Sequence, residues 1–71
     1  MYIYKRIRDI REDNDLTQTD IAKMLGLKQQ QYARYENGEV EMPIHFLIKL
    51  AEFYKVTTDY LLGREEQQYK S

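Results

Sequence analysis

One glycine between two short apolar segments limits what this chain can become. Ile21, Ala22 and Leu25 are spaced to share one face of a helix over residues 18 to 25. Thr17, followed three residues later by Asp20, resembles a capping box and sets a carboxylate at the positive end of that helix. Gly26 then supplies the left-handed stop, because a residue without a Cβ tolerates positive φ at a helix C-terminus. Leu27 anchors the turn, and residues 29 to 37 form a further helix with Tyr32 and Tyr35 on one side. Two helices of about two turns each, joined this tightly, cannot lie antiparallel and still bury Ile21, Leu25, Leu27, Tyr32 and Tyr35 together. They must cross steeply, with Ala22 as the small residue that lets the axes approach.

The rest of the chain surrounds that pair with helices. Ile3, Ile7 and Ile10, with Lys5, Arg6, Arg8 and Arg11 between them, predict an amphipathic helix over residues 2 to 14, ended by Asp13-Asn14-Asp15. After a loop over residues 39 to 42, Pro43 suits a first helical position, and Ile44, Leu47, Ile48, Leu50, Ala51 and Tyr54 mark a helix to residue 55. Phe46 and Phe53 fall off that stripe and leave aromatic surface exposed. Thr57 and Asp59 start a short last helix through Leu62, stopped by Gly63; the β-branched Val56-Thr57-Thr58 is too brief a strand signal to displace it. Residues 1 to 63 are thus one domain and residues 64 to 71 a polar C-terminal tail. At 71 residues there is room for one small core.

Several functional classes drop out. No cysteine is present, which removes disulfides, thiolate zinc sites and cysteine nucleophiles and suits a reducing cytoplasm. No apolar run approaches the ~20 residues of a membrane span, so no membrane association is expected. Nucleophile, base and orienting group at readable spacing, phosphate-cradling glycine loop and metal-ligand cluster are all missing, so neither enzyme activity nor a cofactor is expected. His45, the sole histidine, reads as a surface residue. The net charge of −1 is unhelpful to an anion binder, but its distribution is uneven. Residues 1 to 35 hold seven Lys/Arg against five Asp/Glu, whereas residues 36 to 71 hold four against seven. Any anion-binding face belongs to the first half.

A steeply crossed pair of this kind is the helix-turn-helix arrangement, and the residues around it carry a family resemblance. Leu16-Thr17-Gln18-x-x-Ile21-Ala22-x-x-Leu25-Gly26-Leu27, then Tyr35-Glu36-Asn37-Gly38, Pro43, Leu47, Leu50-Ala51 and Val56-Thr57-Thr58-Asp59-Tyr60-Leu61-Leu62-Gly63, resemble the phage repressor and Cro-like helix-turn-helix family, also called XRE, over residues 3 to 63. The resemblance implies an all-α fold: a compact five-helix bundle of the lambda-repressor-like DNA-binding type, with helices two and three as the helix-turn-helix. It implies that Gln29, Gln30 and Arg34 contact base edges in double-stranded DNA, that Gln18 and Asn37 contact backbone phosphate, and that Arg11 pairs with Glu36. Lys28 and Gln31 are added as backbone contacts. The chemistry of the base readers agrees independently, since a Gln amide matches adenine N6 and N7 and an Arg fork matches guanine O6 and N7. Relatives commonly bind palindromic sites as dimers, which predicts a homodimer through helices four and five and a transcription regulator, in the first instance a repressor.

Three positions depart from the family pattern. Lys28 stands where Ser or Thr usually caps the recognition helix, forgoing a cap worth ~1 kcal/mol but setting a cation beside phosphates. Tyr32 replaces a smaller aliphatic residue, so its hydroxyl needs a partner or a route to solvent. The loop Glu39-Val40-Glu41-Met42 is acidic where relatives carry Lys or Arg, which lowers affinity for phosphate. That loop and the net charge support a rival reading, a protein-interaction module of antitoxin-like or anti-repressor kind that keeps the fold without DNA contact.

Overall fold

The computed structural model describes residues 4–63. Among them all regular structure is helical: α1 (Lys5–Asp13), α2 (Gln18–Leu25), α3 (Gln29–Glu36), α4 (Ile44–Tyr54) and α5 (Thr58–Leu61). The expected start of the first helix at residue 2, the placement of Ile3 and the tail at 64 to 71 lie outside the described residues. Elsewhere the helix ends fall within a residue of expectation.

Local chemistry explains these ends. Thr17 Oγ1 accepts from Asp20 N–H at 3.1 Å while the Asp20 carboxylate accepts from Thr17 N–H at 2.8 Å, a complete capping box. Gly26 adopts φ 75°. The Leu27 N–H can then turn back to Ala22 O at 2.8 Å, satisfying a carbonyl that the end of α2 would otherwise orphan. Pro43 is not the first helical residue but the cap before it, with φ −58° and ψ 147°, and its carbonyl accepts from Phe46 and Leu47 N–H. Thr57 caps α5 by accepting from Tyr60 N–H at 3.0 Å.

Side chains from all five helices meet in one core. Ile7, Ile21, Tyr32, Leu50 and Leu61 are fully buried, with Ala22, Leu25, Tyr35, Leu47 and Ala51 around them. Removing each larger apolar side chain from water contributes about 1.5–3 kcal/mol. Two buried apolar side chains, Tyr4 and Met42, lie outside helices, and Tyr4 Oη accepts from Met42 N–H at 3.0 Å. That bond pins the loop before α4 to the start of α1.

The apolar stripe of α4 divides. Leu47, Leu50 and Ala51 face the core, but Ile44 is 62% and Ile48 45% exposed, and Phe53 is 47% exposed. Ile44 and Ile48 lie four residues apart on a neighbouring face. Phe46, by contrast, is partly buried against the core, its ring centroid 6.0 Å from that of Tyr35. The basic side of α1 makes contacts of its own. Arg6 lies 4.6 Å above the Tyr60 ring and donates to Tyr60 O at 3.4 Å, joining α1 to α5.

Candidate nucleic-acid interface

A buried ion pair underlies the exposed face of α3. Arg11 Nε donates to Glu36 Oε2 at 2.9 Å and Nη2 to Oε1 at 3.0 Å, a fork closed over both carboxylate oxygens. Its third nitrogen, Nη1, donates to Leu16 O at 2.7 Å, the residue before the α2 cap. One guanidinium therefore holds α1, the entry to α2 and the end of α3 in register. Burial alone would push the Glu36 carboxyl up, but the hydrogen bonds from Arg11 and Gln18 prevail and hold it below the ordinary carboxylate range. The hydrogen-bonded Glu36 raises the Arg11 guanidinium in turn.

From that pair a polar chain runs outward. Gln18, at the first turn of α2, donates through Nε2 to Glu36 Oε1 at 3.1 Å. Its Oε1 accepts from Gln29 Nε2 at 2.7 Å, so Gln29 at the start of α3 is held by a side chain that is itself held by a buried carboxylate. The bond uses one of the two Gln29 amide hydrogens. A second hydrogen and Oε1 remain, which is the donor and acceptor pair that adenine N7 and N6 require.

The other side of the network involves Arg8. Its Nη2 donates to Asn37 Oδ1 at 3.0 Å and its Nε to Glu36 Oε1 at 3.4 Å, although half of the side chain stays exposed. The sequence placed Arg8 among the basic residues between the isoleucines of α1 and did not reveal this role. The signal was available: Arg8 precedes Arg11 by three residues, which sets both on one face of α1.

Lys28, Gln29, Gln30, Gln31, Arg34 and Asn37 are all exposed, and Gln18 is half-buried. Lys28 caps α3 by backbone geometry alone, with no hydrogen bond from its side chain to the helix. Gln30 and Arg34 lie four residues apart and share an outward face. Arg34 forms a 3.6 Å ion pair with Glu39 in the acidic loop. Beneath this surface Tyr32 is wholly buried, and its hydroxyl reaches neither solvent nor a partner in hydrogen-bond geometry. Burial, reinforced by the nearby Glu36 carboxylate, pushes that phenol far above its ordinary value.

The amide-rich segment thus stands outward on a short helix whose inner face is locked into the core. At its start Gln29 is held by half-buried Gln18, which buried Glu36 holds in turn, and exposed Gln30 and Arg34 lie one turn apart on the outward face.

Comparison with known proteins agrees with this architecture. The family model described as "Helix-turn-helix" matches residues 7–61. The chain is 32% identical over its whole length to the HTH-type transcriptional regulator ImmR of Bacillus subtilis (strain 168), of which it covers 56%. It is 34% identical over 86% of its length to the cryptic phage CTXphi transcriptional repressor RstR of Vibrio cholerae, covering 55% of that protein. It is also 27% identical over 90% of its length to the antitoxin PezA of Streptococcus pneumoniae, covering 40%. The chain spans a little over half the length of the first two relatives. Matched over 55 of its 71 positions by that model, the chain belongs to the helix-turn-helix family of the phage repressor and Cro-like type.

Proposed function

We propose that this chain binds double-stranded DNA sequence-specifically as part of a transcription regulator, reading the major groove with α3. The observation that carries the reading is the path from buried Glu36 through Gln18 to exposed Gln29, which pre-orients an amide beside Gln30 and Arg34. Pre-orientation matters because ordering a free Gln on binding costs entropy that a fixed one has already lost. In this reading Gln29, Gln30 and Arg34 contact bases, while Gln18, Lys28, Gln31 and Asn37 contact phosphates. The regulators and repressors among its relatives support occlusion of promoter DNA as the mode of action. A cytoplasmic setting fits a chain without cysteine, and no described helix is long and apolar enough to cross a membrane.

A second copy is the natural occupant of the exposed Ile44 and Ile48 face of α4. A twofold dimer through α4 and α5 would present two α3 helices about 34 Å apart to a palindromic operator.

The test is selection of bound sequences from a random duplex library, followed by mobility shifts at low and moderate salt for wild type and Gln29→Ala/Gln30→Ala. Selective binding that the double substitution abolishes supports the reading. No retained duplex at low salt would instead favour an interaction module, the alternative to which the antitoxin similarity and the exposed Glu39 and Glu41 point.

A further inference from the structure

The acidic loop after α3 opposes phosphate binding, yet one of its carboxylates is held against a base-reading side chain. Glu39 N–H donates to Arg34 O at 2.9 Å, so Glu39 is fixed on the last turn of the helix that carries Arg34. Its carboxylate lies 3.6 Å from Arg34 Nε, longer than a hydrogen bond but well inside the ~8 Å over which salt screens charge. Both side chains are largely exposed, Arg34 by 61% and Glu39 by 56%, so neither is needed by the core.

We infer that Glu39 is a specificity-determining residue acting through Arg34: it cancels that arginine's attraction for any phosphate while reserving its terminal nitrogens for a guanine. The inference rests on the proposed reading that α3 enters the major groove. A lone arginine near a duplex adds counterion-release affinity at every sequence. Paired with a carboxylate it adds little of that affinity, because the two charges act as a dipole at the distance of a phosphate. The carboxylate lies at the Nε side, so the Nη1/Nη2 fork stays available for O6 and N7 of guanine, a contact that other bases lack. Glu39 thus lowers affinity for duplexes at large more than for the site where Arg34 finds its base.

The experiment measures binding by fluorescence anisotropy to a duplex selected from the random library and to a shuffled duplex, over a range of salt. Wild type, Glu39→Gln, Arg34→Ala and the double variant are compared, with thermal melts as the folding control. With Arg34 present, Glu39→Gln is expected to strengthen shuffled-duplex binding about two- to fivefold more than selected-duplex binding, the factor a surface ion pair supplies. The salt slope on the shuffled duplex should steepen by about one. With Arg34 replaced by Ala, Glu39→Gln should change both duplexes by the same factor. Equal strengthening of both duplexes in the Arg34 background would overturn the role of Glu39 while leaving DNA reading intact. Failure of wild type to prefer the selected duplex would overturn both.

Discussion

Arg11 and Glu36 join the first helix to the end of the third through two hydrogen bonds of 2.9 and 3.0 Å, and the Glu36 side chain is wholly buried. Breaking such a pair on one side only costs much, because without Arg11 the buried carboxylate keeps only Gln18 and the longer contact to half-exposed Arg8, and gains no water. Arg11→Met should therefore destabilise the fold by about 3–5 kcal/mol, whereas Arg11→Met combined with Glu36→Leu should cost less than the single change. Urea unfolding with an unchanged slope and a shifted midpoint is the measurement. A double variant weaker than both singles would show that the pair contributes through packing rather than charge.

Acid should act on the same carboxyl. Burial on its own would raise Glu36, but the Arg11 and Gln18 hydrogen bonds leave it below the ordinary glutamate value of 4.5. A carboxyl lowered on folding contributes stability that is complete above the unfolded value and is lost as pH falls through the folded one. Denaturation midpoints should thus be level from neutrality down to about pH 5 and fall below it. Asp20, lowered by its backbone and side-chain hydrogen bonds to Thr17, adds to the same loss. Glu36→Gln should flatten the profile. A variant that tracks wild type at every pH would count against Glu36 as the main acid-sensitive group.

Tyr54 makes a prediction at the opposite end of the scale. Its hydroxyl is buried without a hydrogen-bond partner, and burial pushes its pKa up to about 12. A phenol raised on folding leaves stability intact below its unfolded value of about 10 and costs stability as pH rises from there through the folded value. Tyr54→Phe removes an unpaired polar atom at almost constant shape, so it should stabilise the protein by about 1 kcal/mol at neutral pH. It should also reduce the loss between about pH 10 and 12. Thermal melts at neutral and alkaline pH report both effects, and a lowered Tm at neutral pH would mean that the hydroxyl finds a water.

Lys28 tests the proposed trade of stability for binding. It caps α3 without a side-chain hydrogen bond. Lys28→Ser should return a cap worth ~1 kcal/mol and raise Tm. If Lys28 contacts phosphate as proposed, the same change should weaken duplex binding at low salt and reduce the salt slope by about one. Calorimetry and anisotropy on one preparation check the two halves together. A stabilised variant with unaltered salt dependence would remove Lys28 from the DNA contacts.

The outward face of α4 predicts assembly. Ile44→Lys with Ile48→Glu replaces exposed apolar side chains and should leave the stability of the isolated fold within about 1 kcal/mol of wild type. Sedimentation at increasing concentration should show wild type associating to a dimer and the variant remaining monomeric. Binding to a single half-site should persist while binding to a two-half-site duplex weakens. A wild type that stays monomeric at all concentrations would exclude α4 as a self-association surface.

Much of this was legible before any coordinates. The order of five helices, the stop at Gly26 and the cap at Thr17 all follow from local rules: apolar spacing, the missing Cβ and a side-chain oxygen three residues from a free N–H. Such signals act within one or two turns and need no knowledge of neighbours. The stripe on α4 was less legible, because Ile44 and Leu47 differ in burial but not in hydrophobicity. Spacing identifies a helix with apolar faces, yet which face turns inward depends on where the other helices lie.

What the chain determined alone was therefore its segmentation into helices and the presentation of an amide-rich third one after a glycine turn. Only the tertiary structure decided that Arg8 reaches Asn37 and that Glu36 organises Gln18 and through it Gln29. Sequence neighbours specify a hydrogen bond only when backbone geometry brings them together within a turn. Arg8 and Asn37 are 29 residues apart and Gln18 and Glu36 18 apart, so their meeting depends on the packing of Ile7, Ile21 and Tyr32 between the helices that carry them.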